Sequence, residues 1–142
     1  MSRDYRKAAL RAWLKERGEK ITPSLVQPYW FTPHAYFAGS RQYQVLTERE
    51  ANRQCVSNIK EVLWTFNPDF LAAQTGLSKR LFEVLVSQQE SFSEDILRLI
   101  ELTCGLDKFV KAAIEADGRG SFLAHYDGYE GEHGRYFIYR IA

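Results

Sequence analysis

The side chains with the most chemical potential lie in the last quarter of the chain. His125, Asp127, Glu130, Glu132 and His133 are close in sequence and include residue types that bind metals or transfer protons. Alternation along a strand would place His125 and Asp127 on one face, whereas the other three lie in a predicted loop. Solvated loop charge explains them most simply, so we expect no metal ion, no cofactor and no catalytic residue.

Two glycines flank Arg119 in the segment Asp117-Gly118-Arg119-Gly120. Such glycines let backbone amides and a guanidinium approach an anion. The segment lacks the Gly-Lys-Ser/Thr of a phosphate-binding loop, so we interpret Gly118 as the end of a helix that leads into a hairpin. Arg119 stays a candidate for contact with a partner.

The two cysteines carry no signature of catalysis or metal binding. Cys55 and Cys104 are far apart, lack Cys-x-x-Cys spacing, and have only His34, His125 and His133 as possible bases. The first residues lack the apolar core of a secretion signal, and no run reaches the roughly 20 apolar residues of a membrane span. We therefore expect an intracellular protein with reduced thiols and no membrane contact.

The elements that would position these residues begin with two predicted β-hairpins. Ranges 35–38 and 42–46 are joined by Gly39-Ser40, a glycine-led turn that suits a hairpin. A second, aromatic hairpin is predicted at 121–141, with strands at about 121–126 and 135–141 and a polar loop between them.

Several short helices are predicted between the hairpins. Thr47 and Glu50 fit a capping box, and Ser91 and Glu94 fit another. Further helices are predicted after Asn67-Pro68, after Ser78, and around Phe109, Val110 and Ile114. This order of elements predicts an α+β fold.

The first 20 residues are basic, with seven cationic side chains against three carboxylates. They predict a helix over 3–18 that packs through Tyr5, Trp13 and alanines, with the basic residues around the other side. A solvated face is one interpretation of that charge. The other is contact with phosphates or an acidic partner, for which Arg6, Lys7 and Arg11 are the candidates.

Three prolines, Pro23, Pro28 and Pro33, exclude a continuous helix in the next segment. This segment carries the aromatic run Tyr29-Trp30-Phe31. Such rings can stack on nucleic-acid bases, although aromatics beside prolines more often close a core edge or contact a protein.

Length and composition favour one compact fold. The 142 residues suffice for a single core, and 45% of them are hydrophobic. We predict a basic N-terminal helix at 1–20 and one α+β globular domain at 21–142. The net charge of +1 argues against a DNA mimic and against a protein that binds nucleic acid over its whole surface.

Three segments of the chain resemble a family of small bacteriophage and mobile-element proteins with no assigned activity: 43–51, 63–77 and 117–140. The most distinctive part is the terminal pattern Asp-Gly-Arg-Gly, Phe-Leu, Tyr-Asp-Gly, Glu and Tyr-Phe-Ile-Tyr-Arg. The resemblance covers roughly residues 36–141, so the basic helix is an addition to it.

The resemblance implies an anti-defence protein, with anti-CRISPR inhibition as one form. It would act without turnover, in the cytoplasm of the host cell, by stoichiometric binding to a host protein or ribonucleoprotein complex. Exposed aromatics and arginines dominate many interfaces, so the partner-binding candidates are Arg119, Tyr129 and Arg135, and then Arg6, Lys7 and Arg11. Three alternatives stay open: a nucleic-acid-associated phage regulator that uses the basic helix, an enzyme that modifies a host component, and a homodimer that hides the same aromatics.

Overall fold

A computed structural model of the protein describes the backbone of residues 2–19, 26–29 and 32–142 and the side chains of 5–19 and 32–142. The described chain is α+β, which confirms the predicted fold class. It divides into two compact units, one formed by 1–54 with 119–142 and the other by 55–118. The prediction of one globular domain at 21–142 stays a prediction.

The first unit contains an antiparallel five-stranded sheet. Its strands are β1 (Val26–Tyr29), β2 (Ala35–Ala38), β3 (Arg41–Thr47), β4 (Glu130–His133) and β5 (Tyr136–Arg140). Their spatial order is β1-β2-β3-β5-β4, so β3 and β5, which are far apart in sequence, pair at the centre. The β2–β3 hairpin confirms the prediction, with Gly39 at a φ of +67° leading its two-residue turn.

The terminal hairpin differs from its prediction. The predicted first strand at 121–126 is wrong, because its first residues form a short helix, α7 (Gly120–Leu123). The strand that pairs with β5 is β4, which lies inside the predicted polar loop. Gly120, at the start of this helix, lies against the backbone carbonyl of Gly128, where a Cβ atom would clash.

One helix of the first unit packs on the sheet. It is α1 (Ser2–Glu16), which contacts β3, β4 and β5. Trp13 on α1 lies against Gly131 of β4, where any Cβ atom would overlap the indole ring. The core between helix and sheet consists of apolar side chains from both, including Leu10, Trp13, Leu14, Tyr43, Val45 and Ile138.

The second unit is helical. After α2 (Glu48–Glu61), which begins in the first unit, come α3 (Pro68–Thr75), α4 (Lys79–Ser87), α5 (Ser93–Leu102) and α6 (Leu106–Asp117). The largest side chains of its core are Ile59, Leu63, Leu71, Phe82, Ile96, Ile100 and Phe109. Phe66, Phe70 and Phe109 also form a cluster of tilted and edge-on rings.

Of the four helix starts predicted between residues 47 and 94, three are confirmed. Thr47 and Glu50 form the capping box, and Asn67 and Ser78 cap α3 and α4. The second capping box is wrong, because a 3-10 turn at Gln89–Phe92 precedes α5 and the helix begins at Ser93 without a side-chain cap.

Some expectations fall on parts of the chain that the structure does not describe. Pro23, Trp30 and Phe31 lie outside the described residues, as does the side chain of Tyr29. The base-stacking interpretation of that aromatic run therefore stays a prediction. Within the described residues, no helix combines the length and the apolar character needed to cross a membrane.

Candidate partner-binding site

Arg6 lies on the buried flank of α1 and not on its solvated face. Only 5% of the residue is exposed. Its guanidinium donates to both carboxylate oxygens of Glu50, at 2.7 and 2.8 Å, and to the carbonyl of Val45 at 2.8 Å. The expectation that Arg6 is an exposed cation is therefore wrong, because a buried arginine needs partners and Glu50 supplies them.

Glu50 joins α1 to the start of α2. Burial alone would raise the pKa of this carboxyl group, but hydrogen bonds from Arg6 and Thr47 and the charge of Arg6 lower it to about 2. His34 lies 3.1 Å from the same carboxylate. Burial and the nearby charge of Arg6 lower the pKa of His34, while Glu50 opposes that shift. This cluster fixes the helix on the sheet and holds the guanidinium of Arg6 inside the fold.

Arg119 is also engaged within the first unit. It donates from Nε to Glu130 at 2.8 Å and from Nη1 to Asn52 at 2.9 Å. Tyr139 donates to the same Glu130 carboxylate at 2.5 Å, and the guanidinium lies 4.4 Å from the ring centre of Phe137. The arginine of the Asp-Gly-Arg-Gly segment thus ties α7 to the terminal hairpin.

The open flank of α1 and the β4–β5 turn enclose a groove, which we call the α1 groove. It has a volume of about 610 Å³ and is lined by Tyr5, Ala8, Ala9 and Ala12 on the helix and by residues 133–136 on the hairpin. Most of this lining is apolar. The structure therefore brings the first helix and the terminal hairpin, two regions singled out in the sequence, into one surface.

The rim of the α1 groove carries aromatic and charged groups. Tyr5 is 64% exposed. Arg135 is exposed at the hairpin turn, where it donates to the hydroxyl of Tyr136 at 3.0 Å and stacks on the same ring. His133 lies 3.4 Å from the carboxylate of Glu16. Tyrosine and arginine are the residue types that dominate binding energy at protein interfaces.

Lys7 and Arg11 lie on α1 beyond the alanines that line the groove. Both are half-buried, and Lys15, one turn further on, is exposed. Residues four apart share a helix face, so these three cations form one stripe. Of the predicted contact residues, Arg11 lies about 60° around the helix from Ala8 and Lys7 about 100°, and neither lines the groove.

Tyr129 lies at a second exposed surface, outside the α1 groove. It is 51% exposed and stacks on the guanidinium of Arg17, which also lies over Trp13 at 4.6 Å. Arg140 stacks on exposed Tyr126 at 3.5 Å. These stacks hold two tyrosines in defined positions at the surface of the first unit.

The acidic and histidine residues of the terminal segment are dispersed. Asp127 accepts a hydrogen bond from the backbone amide of Tyr129 at 3.0 Å, and Glu130 binds Arg119. His125 and Glu132 are exposed. Across the described part of the chain, no three His, Cys, Asp or Glu side chains are placed to hold a metal ion. Cys55 is buried and Cys104 half-buried, and the two cysteines do not form a disulfide bond.

The positions of two leucines on α1 are a sequence signal for its open flank, and the predicted helix face was centred on other residues. Leu10 and Leu14 are fully buried. At about 100° per residue, Ala8 and Ala12 point about 160° away from Leu10 and Leu14, respectively. Taking the leucines as the centre of the buried face would have placed Arg6 inside and Tyr5, Ala8 and Ala12 outside.

Comparisons with protein-family models, with curated proteins and with solved structures find no match to this chain. The resemblance to bacteriophage and mobile-element proteins therefore stays a prediction.

Proposed function

We propose that the chain is a phage-encoded anti-defence protein that inhibits a host machine in the host cytoplasm by stoichiometric binding through the α1 groove. CRISPR effectors are among the machines it would inhibit. The observation that carries the proposal is the groove itself, with its apolar lining and its exposed tyrosine and arginine at the rim. The phage origin rests on the sequence resemblance.

The composition of the groove favours binding over catalysis. Its lining side chains are three alanines, two tyrosines, one histidine and one arginine, beside a glycine. That lining has no serine, cysteine or carboxylate side chain to act as a nucleophile, and its one candidate general base is His133, which lies beside the carboxylate of Glu16. An apolar floor with few polar groups at its edge is what a partner side chain or segment needs for burial.

The hydrogen bond and stacking of Arg135 favour tight binding. A guanidinium that is already held against Tyr136 loses less side-chain freedom when a partner binds. Arginine also suits planar, two-point contact with carboxylates. Arg135 is therefore the side chain that we expect to contribute most at the rim.

The proposal is tested by phage plating on bacteria that each express one defence system. The native chain should restore plating on at least one strain, and the effect should require about one copy of the chain per copy of the inhibited machine. Ala8→Glu should lose at least 10-fold of the restored plating, because it fills and charges the groove. Ala116→Glu is the matched control at an exposed alanine of α6. Equal plating with both variants would show that the groove is not the inhibitory surface.

Nucleic-acid binding is a second candidate function, favoured by the charge of the first unit. That unit has 13 basic and 8 acidic residues, a net +5, whereas the second has 6 and 10, a net −4. The stripe of Lys7, Arg11 and Lys15 would contact phosphates. Binding of a labelled oligonucleotide should then weaken steeply with added salt, and Lys7→Glu with Arg11→Glu should remove it, while Lys108→Glu with Lys111→Glu should not.

A further inference from the structure

We infer that the partner presents an acidic amphipathic α-helix to the α1 groove. This inference rests on the proposed function and adds the chemistry of the partner segment. It depends on three properties of the groove, which are its floor, its walls and the sign of the charge around it.

The floor of the groove is made of small side chains. Ala8 and Ala12 are one helical turn apart on α1, with Ala9 between them, and none projects beyond its Cβ atom. The distance between two packed helices depends on the side chains at their contact. A stripe of alanines therefore lets a second helix approach α1 closely and insert its larger apolar side chains.

The walls of the groove favour a helix over an extended strand. One wall is α1, which at about 1.5 Å per residue is about 22 Å long. The other is the hairpin turn at residues 133–136 and not the free edge of β4. An extended segment in this groove would find no row of backbone partners, whereas a helix satisfies its own backbone hydrogen bonds.

Basic side chains lie at the rim of the groove and beside it. Arg135 lines the hairpin rim, and Arg11 and Lys15 lie on α1 about 60° around the helix from Ala8 and Ala12, respectively. Glu16, at one end, is already placed beside His133. An apolar helix stripe bordered by carboxylates complements this arrangement, whereas a basic helix would be repelled.

The test uses three fluorescein-labelled 16-residue peptides and measures their fluorescence anisotropy with the full chain. The first is an amphipathic helix of leucine, alanine and glutamate. The second has lysine in place of each glutamate, and the third has the composition of the first in an order without a helical apolar face. The first peptide should bind at least 10-fold more tightly than either of the others.

Variants locate the binding in the groove. Ala8→Glu should weaken the acidic peptide at least 10-fold, and Ala116→Glu should leave its affinity within 2-fold. Arg135→Glu should weaken it about 10-fold, and Arg98→Glu, at an exposed arginine of α5, should not. Circular dichroism and thermal unfolding of each variant show that the fold is intact.

Three results would overturn the inference. The first is equal binding of the three peptides, or no binding of any. The second is displacement of the acidic peptide by a 15-nucleotide oligothymidine whose own binding is lost in Ala8→Glu. That result would assign the groove to nucleic acid. The third is self-association of the chain that Ala8→Glu abolishes, which would assign it to a second copy. If none of the peptides binds while Ala8→Glu still removes the restored plating, the proposed function stands. Only the inference that the partner segment is an acidic helix is then wrong.

Discussion

The two flanks of α1 differ in burial and in the role of their side chains. On one flank Arg6, Leu10, Trp13 and Leu14 are buried against the sheet, and the arginine is paired. On the other flank, the exposed Tyr5 and Ala8 line an open groove. Charge alone therefore does not identify the interacting face of a helix. The positions of the largest apolar residues around the helix determine which flank is buried. A basic residue on that flank is paired inside the fold.

The buried flank should be the most sensitive to substitution. Arg6→Ala leaves the carboxylate of Glu50 and the carbonyl of Val45 without their donor, so we expect a loss of about 3–5 kcal/mol in the free energy of unfolding. Urea denaturation followed by circular dichroism measures it. Arg98→Ala, at an exposed site, should change it by less than about 0.5 kcal/mol. A loss below about 1 kcal/mol for Arg6→Ala would mean that the pair does not hold α1.

The contact between Trp13 and Gly131 is a second place where the buried flank of α1 should be sensitive to substitution. Gly131→Ala places a methyl group in the space of the indole ring and should cost about 1–3 kcal/mol, because a packed core resists overfilling. Glu132→Ala, the exposed neighbour on β4, is the control and should be near neutral. Equal melting temperatures of the two variants would contradict the close packing of α1 on β4.

The stability that the buried flank provides should also be sensitive to acid. The folded pKa of Glu50, about 2, lies below the ordinary value of 4.5, so its contribution is complete above pH 4.5 and is lost as the pH falls toward 2. After allowance for solvent screening at a partly exposed group, the loss should be about 1–2 kcal/mol. Unfolding free energies measured between pH 6 and pH 3 should fall more for the native chain than for Glu50→Gln. If the unfolding free energies of the native chain and Glu50→Gln fall equally over this pH range, Glu50 is not the cause of the acid sensitivity.

The open flank should show the smallest effect on stability. Ala8 is exposed, and glutamate is a good helix former, so Ala8→Glu should change the free energy of unfolding by less than about 0.5 kcal/mol. Thermal unfolding beside Ala116→Glu checks this. A loss above about 2 kcal/mol would show that this flank is also part of the core, and the groove variant could not then report on binding.

Local signals in the sequence sufficed for elements whose partners are close along the chain. The Gly39-led hairpin, the Thr47–Glu50 capping box and the Asn67 cap all depend on residues within a few positions of one another. The strand at 121–126 failed because alternation over a few residues does not reveal that Gly120 must pack on the carbonyl of Gly128.

The candidate site could be predicted only in part. Arg135 and Tyr129 were expected at the surface and are exposed there. Arg6 was misplaced because its partner Glu50 is 44 residues away and no local pattern links them. The groove itself depends on the packing of α1 beside a turn more than 100 residues later in the chain, which helix periodicity alone does not specify.

We expect α1 to hold the fold with one flank and to bind a partner with the other. Site-specific photo-crosslinking distinguishes the two flanks, with benzoylphenylalanine at position 8 or at position 116 of the chain expressed in a host strain whose defence it inhibits. We predict that a host protein is crosslinked at position 8, in an amount equal to the chain bound, and not at position 116. Equal crosslinking at both positions, or none at position 8, would mean that the open flank is not the binding surface.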